Sequence, residues 1–271
     1  MAVRFESQTI MQQEGIMEYT NREKVVRLLK SIETAESEPV GYINPGTYIQ
    51  HNMGVADGLA GFGQLLSQLP QGSARVNTVR AFVDGPYVFA HTDYDFFGPK
   101  IGFDIFRFED GLIVEHWDNL QPKPDGLNPS GRTMTDGATD AGDLRRTLTN
   151  KELVRNFVEE ILVNGHMDKL AGYFDGDRYL QHNPNIADGL SGLGVALEAW
   201  AKQGITMEYH KIHKVLGEGH FILVVSEGML GRTHSSFYDL FRAENGFIAE
   251  HWDVIEAIPP REAWKNGNGK F

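Results

Sequence analysis

The chain contains two copies of the same sequence pattern, and this duplication limits what it can fold into. The stretch YIQHNMGVADGLAGFG at 48–63 aligns with YLQHNPNIADGLSGLG at 179–194, and ten of the sixteen positions are identical. The stretch DIFRFEDGLIVEHWD at 104–118 aligns with DLFRAENGFIAEHWD at 239–253, with ten of fifteen identical. Because a unit of about 130 residues can bury its own core, the repeat predicts two domains of one fold.

The boundaries follow from where the repeat stops. The joint between the copies is rich in proline, glycine and small polar residues and lacks apolar periodicity, which is typical of a linker or a long surface excursion. The predicted segments are an N-terminal arm, a first domain, a linker, a second domain and a C-terminal tail, at 1–19, 20–120, 121–146, 147–258 and 259–271. The arm and the tail fall outside the repeat, and they could pack on the partner domain or stay loose.

Each copy begins with helical patterns and ends with strand patterns. Thr-x-x-Glu capping boxes at Thr20 and Thr149 predict the first helix of each copy. Asp57 and Asp188 are the predicted N-caps of a later helix. Segments rich in β-branched and aromatic residues, separated by turn signals, follow in both copies. Helices followed by antiparallel strands indicate the α+β class.

Composition excludes several classes of function. The net charge is −12 and the acidic residues are spread along the chain, so we expect no nucleic-acid or membrane partner. The absence of cysteine rules out disulfides, thiolate zinc sites and cysteine nucleophiles. No nucleotide-binding loop or serine-hydrolase motif is present, and we expect neither a cofactor nor a metal. Without an apolar run of signal-peptide or membrane-spanning length, a soluble, cytoplasmic protein is expected.

The hairpin at 104–118 decides which polar side chains share a face. A three-residue loop would pair Asp104 with His116 and put Asp118 on the same face, with Trp117 opposite, where the tryptophans of the two copies could pack the domains together. A two-residue loop would instead group Asp104 with Trp117. We favour the three-residue loop because it surrounds the carboxylates and the imidazole with apolar side chains, as in a ligand pocket.

Both copies therefore supply the same kinds of candidate residue. The candidate catalytic residues are carboxylates and imidazoles at matching positions, namely Asp118, His116 and Asp104, and Asp253, His251 and Asp239. The candidate substrate-binding residues are polar and aromatic neighbours, namely His51, Asn52, His91 and Phe106, and His182, Asn183, Glu227 and Phe241. A carboxyl group in an apolar pocket has a raised pKa, and a histidine beside it can exchange a proton. The simpler interpretation is that each residue only satisfies a hydrogen bond of the fold.

These motifs resemble the SnoaL-like branch of the nuclear transport factor two-like superfamily. The YxQHN…ADGL and DxFRxxDGxIxEHWD patterns carry the resemblance, which covers both halves apart from the termini and the linker. It implies two tandem cone-shaped α+β barrel domains, each a curved antiparallel sheet wrapped by helices around a ligand pocket. It also implies an aspartate acid or base at Asp118 and Asp253. Asp104 and Asp239 would line the pocket where polyketide cyclases of this group carry histidine.

The sequence leaves more than one function open. The first is a cofactor-independent enzyme that removes a proton next to the carbonyl group of a small apolar compound, in an aldol-type cyclisation, an isomerisation or a dehydration. The alternatives are an epoxide-hydrolase-like hydrolase and a non-catalytic ligand-binding or interaction module, since one fold hosts many functions. The resemblance also implies an intramolecular pseudo-dimer, with further homodimerisation left open. An enclosed apolar cavity at Asp118 or Asp253 would favour the enzyme, and a cone filled by side chains would count against it.

Overall fold

The two copies fold into two α+β domains, each built on one five-stranded sheet. The computed structural model describes residues 19–70 and 72–271. The predicted N-terminal arm lies outside the described residues, apart from its last position. The α+β prediction is confirmed.

The first domain starts with a helix and ends with a long strand. Its elements are α1 (Asn21–Thr34), β1 (Ile49–Gln50), α2 (Gly58–Ser67), β2 (Arg75–Asp84), β3 (Tyr87–Asp95), β4 (Pro99–Glu109) and β5 (Leu112–Pro122). The strand order is β1-β5-β4-β3-β2. The short β1 runs parallel to β5, and the other neighbours are antiparallel.

The second domain repeats this order with longer helices. Its elements are α3 (Thr147–Phe157), continued by a π-helical segment (Val158–Val163), β6 (Leu180–Gln181), α4 (Gly189–Lys202), β7 (Met207–Glu218), β8 (Phe221–Leu230), β9 (Thr233–Glu244) and β10 (Phe247–Ala257). The strand order is β6-β10-β9-β8-β7, again with the two-residue strand parallel to the last one. None of the helices in the described ranges is long and apolar enough to cross a membrane.

The predicted helix caps are met in part. Thr20 and the glutamate three residues later form the expected capping box. Thr149 does not cap a helix, because α3 begins two residues earlier, at Thr147. Asp57 and Asp188 stand at the N-cap positions of α2 and α4, but their carboxylates do not bond the first turn of the helix. They accept instead from the backbone N–H groups of the short strands β1 and β6.

The β4–β5 turn contains two residues, so the predicted three-residue loop is wrong. Asp110 and Gly111 have φ angles of +48° and +76°, and Glu109 pairs directly with Leu112. Asp-Gly suits a two-residue turn of this kind, because both central positions have positive φ. The Asn-Gly turn of the second copy has the same form.

A β-bulge in β5 restores the arrangement of faces that the longer loop would have given. The register shifts after Ile113, so Val114 is an extra residue and Asp104 pairs with Asp118 instead of His116. The predicted pairing is therefore wrong, and Ile113 belongs to the inner core. The three polar residues nevertheless line one cavity, because the extra residue reverses the alternation that a two-residue turn alone would impose.

The outer faces of the two sheets pack against each other. Trp117 and Trp252 both belong to the core between the sheets, as expected from the sequence. The strands β5 and β10 lie side by side there, and β2 lies near β7. Each domain also has an inner core between its sheet and its helices.

The linker and the tail each cross to the other domain. We call residues 128–133 the linker strap and residues 265–271 the tail strap. The side-chain amide of Asn128 donates to the carbonyl of Ile186 in the second domain (3.1 Å). The side-chain amide of Asn266 donates to the equivalent carbonyl, that of Val55, in the first domain (2.9 Å). The tail thus packs on the partner domain instead of staying loose.

The two straps are a third repeat that sequence inspection missed. The linker strap begins NPSGR and the tail strap carries NGNGK, and the asparagines make equivalent bonds. Only two of five residues are identical, too few to recognise without the structure. The linker is not a surface excursion, because Asn128 is buried and Met134 belongs to the core between the sheets.

Candidate active site

In each domain the two repeated motifs, QHN and EHWD, are joined by side-chain hydrogen bonds. The strand that carries Gln50 runs parallel to β5, so successive residues of one motif lie beside successive residues of the other. The side-chain contacts in the first domain are Gln50 with His116 (3.0 Å), His51 with Glu115 (2.9 Å) and Asn52 with Asp118 (2.7 Å). Those in the second domain are Gln181 with His251 (3.1 Å), His182 with Glu250 (2.9 Å) and Asn183 with Asp253 (2.7 Å).

In the first domain, His116 and Asp104 share a proton. The side-chain oxygen of Gln50 also accepts from the backbone N–H of Asn52 (2.9 Å), so His116 must donate to it through Nδ1. His116 Nε2 then faces Asp104 Oδ1 at 3.1 Å, and one proton lies between them. The Tyr94 hydroxyl donates to the other oxygen of Asp104 (2.8 Å). Burial raises the pKa of Asp104, and the neighbouring imidazole opposes this rise.

One carboxylate oxygen of Asp118 accepts a hydrogen bond, and the other makes none with the described residues. Its Oδ2 accepts from the Asn52 amide (2.7 Å). Its Oδ1 is buried and makes no hydrogen bond with any residue that the structure describes. Asp118 itself is only 4% exposed and lines the cavity of the first domain. The Asp118 carboxylate is therefore a candidate proton acceptor for a ligand in that cavity.

The cavity of the first domain has a volume of about 230 Å³. Its wall is mostly apolar and comes from α1, α2, the sheet and the turn between β3 and β4, with Leu28, Leu29, Ile32, Phe62, Leu65, Phe96, Phe97, Phe106 and Leu120. The polar lining residues are Tyr48, Gln50, Asn52, Tyr94, Lys100, Asp104, His116 and Asp118. Phe106 stacks on the ring of His116, with ring centroids 4.4 Å apart. A mostly apolar cavity with a few convergent polar groups is typical of a small-molecule site.

The second domain keeps the polar network but has less space around it. Its cavity has a volume of about 90 Å³. Its lining includes Leu193, Leu197 and Trp200 of α4, and Met167 and Leu170 of a 3₁₀ helix (Met167–Tyr173). Asp253 again has a buried Oδ1 without a hydrogen bond to the described residues, and burial raises its pKa. Phe241 stacks on His251 as Phe106 does on His116.

Sequence reasoning missed the two tyrosines that bond the inner aspartates. The Tyr94 hydroxyl in β3 donates to Asp104, and the Tyr209 hydroxyl in β7 donates to Asp239 (3.2 Å). These strands are not equivalent, because β7 of the second domain corresponds to β2 of the first. One signal was available in the first domain. A Cβ atom at Gly102 would lie 2.5 Å from the Tyr94 ring, and a glycine inside a strand often marks such a close approach.

Two histidines expected in the pockets lie on the other side of the sheet. His51 stacks on Trp117 with a centroid separation of 4.7 Å, and it donates through Nδ1 to the Gly269 carbonyl of the tail strap (2.8 Å). His182 stacks in the same way on Trp252, and its Nδ1 bonds the linker strap. The expectation that they line the pockets is corrected. The residues before them point inward, so the histidines point outward.

His91 and Glu227 also lie outside the pockets. The His91 ring bonds the buried guanidinium of Arg80 (2.5 Å) in the region between the sheets. Glu227 bonds His213 and His234 on the outer side of the second sheet (both 2.8 Å). Their neighbours in β3 and β8 face the inner cores, so alternation puts these two residues on the outer faces. The expectation of substrate contact is wrong for both.

The remaining candidates are brought together as expected. Asp104, His116, Asp118 and Phe106 line the first cavity with Asn52, and Asp239, His251, Asp253 and Phe241 line the second. Asn183 bonds Asp253 but lines an adjoining depression near Trp200 and not the inner cavity itself.

The inner groups are close enough to coordinate a metal ion. One ligand atom from each of Asp104, His116 and Asp118 lies within 4.8 Å of the others, and the same holds for Asp239, His251 and Asp253. The direct bond from each imidazole Nε2 to the inner aspartate (3.0–3.1 Å) accounts for this closeness through a shared proton. We therefore interpret the clusters as proton-sharing groups.

Comparison with known proteins gives matches in structure and none in sequence. No protein-family model matches the chain, and no curated protein matches it. A solved NTF2-like protein of unknown function from Cytophaga hutchinsonii is 14% identical, with a TM-score of 0.34, and the match covers 40% of this chain and 95% of that one. A SnoaL-like polyketide cyclase from Agrobacterium tumefaciens is also 14% identical, with a TM-score of 0.31 and coverages of 40% and 91%.

A third solved structure carries a different activity in its name. An LEH-like epoxide hydrolase from M. tuberculosis is 22% identical, with a TM-score of 0.31, and the match covers 41% of this chain and 85% of that one. Each of these matches spans about the length of one domain.

Proposed function

We propose that the first domain is a cofactor-independent acid/base site for a small apolar carbonyl compound. The observation that carries the proposal is the buried carboxylate of Asp118, which lines an apolar cavity of about 230 Å³. The mostly apolar lining of this partly open cavity supports the proposal. Because pockets for drug-sized ligands have roughly 300–1,000 Å³, the ligand is expected to be smaller than those.

The geometry supports a proton transfer with two partners. The Asp118 carboxylate takes a proton from the carbon next to the carbonyl group, while the Asn52 amide fixes its orientation. The proton between His116 and Asp104 is available to the carbonyl oxygen, so the enol forms without a free negative charge in the apolar cavity. Gln50 keeps the imidazole ring oriented by accepting from its Nδ1.

The outcome of the reaction depends on where the proton goes next. Its return to another carbon is an isomerisation, and the loss of a hydroxyl group from the enol is a dehydration. Attack of the enol carbon on a second carbonyl group is an aldol-type cyclisation. The three share their first step, so one assay can test all of them. The second domain has the same polar groups, but its cavity of about 90 Å³ leaves less room for a ligand.

The test is exchange of carbonyl-adjacent hydrogen for deuterium, followed by NMR in D₂O. The probes are cyclohexanone, 2-cyclohexenone and 1-indanone, and the protein is the full chain. We expect Asp118→Asn to slow exchange by about 100-fold or more, since a general base contributes about 10²–10⁴ in rate. We expect Asp253→Asn to keep most of the activity because the second cavity is small.

The matched control is Asp125→Asn, which removes an exposed carboxylate from the linker. It should exchange as the unmodified chain does. Unchanged exchange in Asp118→Asn would show that Asp118 is not the base. Binding of the ketones without any exchange would favour a non-catalytic ligand-binding module.

A further inference from the structure

The tail strap brings a buried lysine to the candidate base of the first domain. Lys270 is only 3% exposed. Its ammonium group donates to the backbone carbonyl of Asp118 (2.7 Å) and lies 4.0 Å from Asp118 Oδ1, the oxygen without a hydrogen bond. It also forms an ion pair with Glu256 of β10. A cation is thus held between the last strand of the second domain and the base of the first.

The strap fixes this lysine from both sides. On one side, the carbonyl of Gly269 accepts from His51 (2.8 Å), and Asn268 donates to Asp57 at the start of α2 (2.6 Å). On the other side, the ring of Phe271 stacks on His213 with a centroid separation of 3.9 Å. The lysine between them has little freedom to turn toward solvent.

The equivalent residue of the linker strap does not reach a base. Arg132 stands four residues after Asn128, as Lys270 stands four after Asn266. Its guanidinium bonds Asp188 at the start of α4 (2.8 Å), where both side chains are partly exposed. Among the described residues, no lysine or arginine forms an ion pair with Asp253. The two straps are alike in backbone contacts and differ in this one charge.

We propose that Lys270 is a positioning residue that stabilises the carboxylate form of Asp118, so that the tail of the second domain completes the site of the first. The role in turnover rests on the proposed function, but the electrostatic effect does not. A positive charge 4.0 Å from a buried carboxylate favours its ionised form. The second domain then has a structural task, to hold the tail in place, even where its own cavity is small.

Other charged and titratable groups also act on Asp118 and oppose the lysine in part. Those in the cavity or against it, from β3, β4, β5, β9, β10 and the residue before β1, are Tyr48, Tyr94, Lys100, Asp104, His116, Tyr238 and Glu256. The negative charges of Asp104 and Glu256 favour the protonated form of Asp118. Lys270 acts on Asp118 in the opposite direction to Asp104 and Glu256, so its substitution has a distinct sign.

The test is a pH titration of the Asp118 carboxyl carbon by NMR, in full-length chain labelled with ¹³C-carboxyl aspartate. The resonance is assigned by its absence in Asp118→Asn. Lys270→Gln keeps a hydrogen-bond donor for the Asp118 carbonyl but removes the charge. We expect its Asp118 midpoint to rise, because the substitution removes a positive charge 4.0 Å from Oδ1.

Three further variants make the result specific. Lys270→Met is a second neutral variant and should raise the midpoint in the same way, whether or not Lys270→Gln folds. Lys270→Arg keeps the charge and should titrate as the unmodified chain does. Lys265→Gln removes an exposed charge from the same strap and should have no effect.

The inference fails if the Asp118 midpoint is unchanged in a folded neutral variant, or if Lys265→Gln shifts it equally. It also fails if Lys270→Arg raises the midpoint, since the effect would then come from packing and not from charge. None of these measurements needs a substrate. A raised midpoint without ketone exchange would keep the lysine assignment and reject the proposed function, and the reverse pattern would do the opposite.

Discussion

His51 and Asn52 show how adjacent residues of this chain take different tasks. Asn52 points into the first domain and holds Asp118, whereas His51 points outward, stacks on Trp117 and holds the tail strap. The repeated QHN and EHWD motifs therefore combine residues of the candidate site with residues that join the domains. The inward residues build the proton-sharing groups, and the outward residues join the domains. A sequence motif alone does not separate them, because the histidine in each motif is chemically capable of either task.

At the same scale, we expect the buried carboxylate of Asp253 to lower the thermal stability of the folded chain at neutral pH. Burial raises its pKa above the ordinary 3.8, so its protonated form is the one that the folded state favours. Its stabilising contribution is full below that ordinary value and is lost as the pH rises through the raised one. We expect Asp253→Asn to have a higher melting temperature than the unmodified chain at pH 7, with the difference shrinking toward pH 3.5.

Thermal unfolding followed by circular dichroism at the two pH values measures this difference. Asp125→Asn, which removes an exposed carboxylate, is the control and should show no such pH dependence. A lower melting temperature of Asp253→Asn at pH 7 would indicate that the ionised carboxylate contributes to the fold.

At the scale of the elements, the hairpin that carries the site depends on its two-residue turn. Gly111 has a φ of +76°, which costs a residue with a Cβ atom about 1–2 kcal/mol. Gly63 lies exposed inside α2, where an added Cβ atom meets nothing within 4 Å. We expect Gly111→Ala to lower the free energy of unfolding by about 1 kcal/mol and Gly63→Ala to raise it by about 0.5–1 kcal/mol.

Urea unfolding of the two variants checks this pair. The opposite signs serve as mutual controls, because both variants add the same methyl group. Destabilisation by both would mean that the positive φ of the turn is not what distinguishes the two glycines.

The same hairpin shows how far the sequence could take the prediction. The three-residue loop was favoured because it surrounds Asp104, His116 and Asp118 with apolar side chains, and this grouping is present. The turn length and the pairing were wrong, because a bulge at Val114 offsets the shorter turn. No residue at the bulge marks it in advance, since a valine fits a regular strand equally well. The faces were predictable because burial constrains them, and the register was not.

At the scale of the whole molecule, we expect the tail strap to stabilise the first domain and the linker strap to stabilise the second. Asn266 and Asn128 each donate to backbone carbonyls of the opposite domain, at Val55 and at Ile186. Replacement by alanine leaves these acceptors unsatisfied at a cost of about 1–3 kcal/mol. We expect Asn266→Ala to speed amide exchange around 50–58 and Asn128→Ala to speed it around 181–189, each with little effect on the other domain.

Hydrogen–deuterium exchange with peptide-level mass spectrometry measures both regions in one experiment, and each variant is the control for the other. Equal loss of protection in both domains would show that the straps act on the packing of the sheets and not on the segments that they touch. Sequence reasoning could not have paired the tail with the first domain, because the contact joins residues more than two hundred positions apart. Lys270 was missed for the same reason.

The crossing of the straps has a consequence for how the chain can be divided. A cut between 143 and 144 would give one fragment with the first domain and the linker strap, and another with the second domain and the tail strap. Each fragment would carry the segment that the other one needs, and neither would carry its own. We therefore expect each half to be less stable alone than in the whole chain, and we expect the two fragments to reassemble when they are mixed.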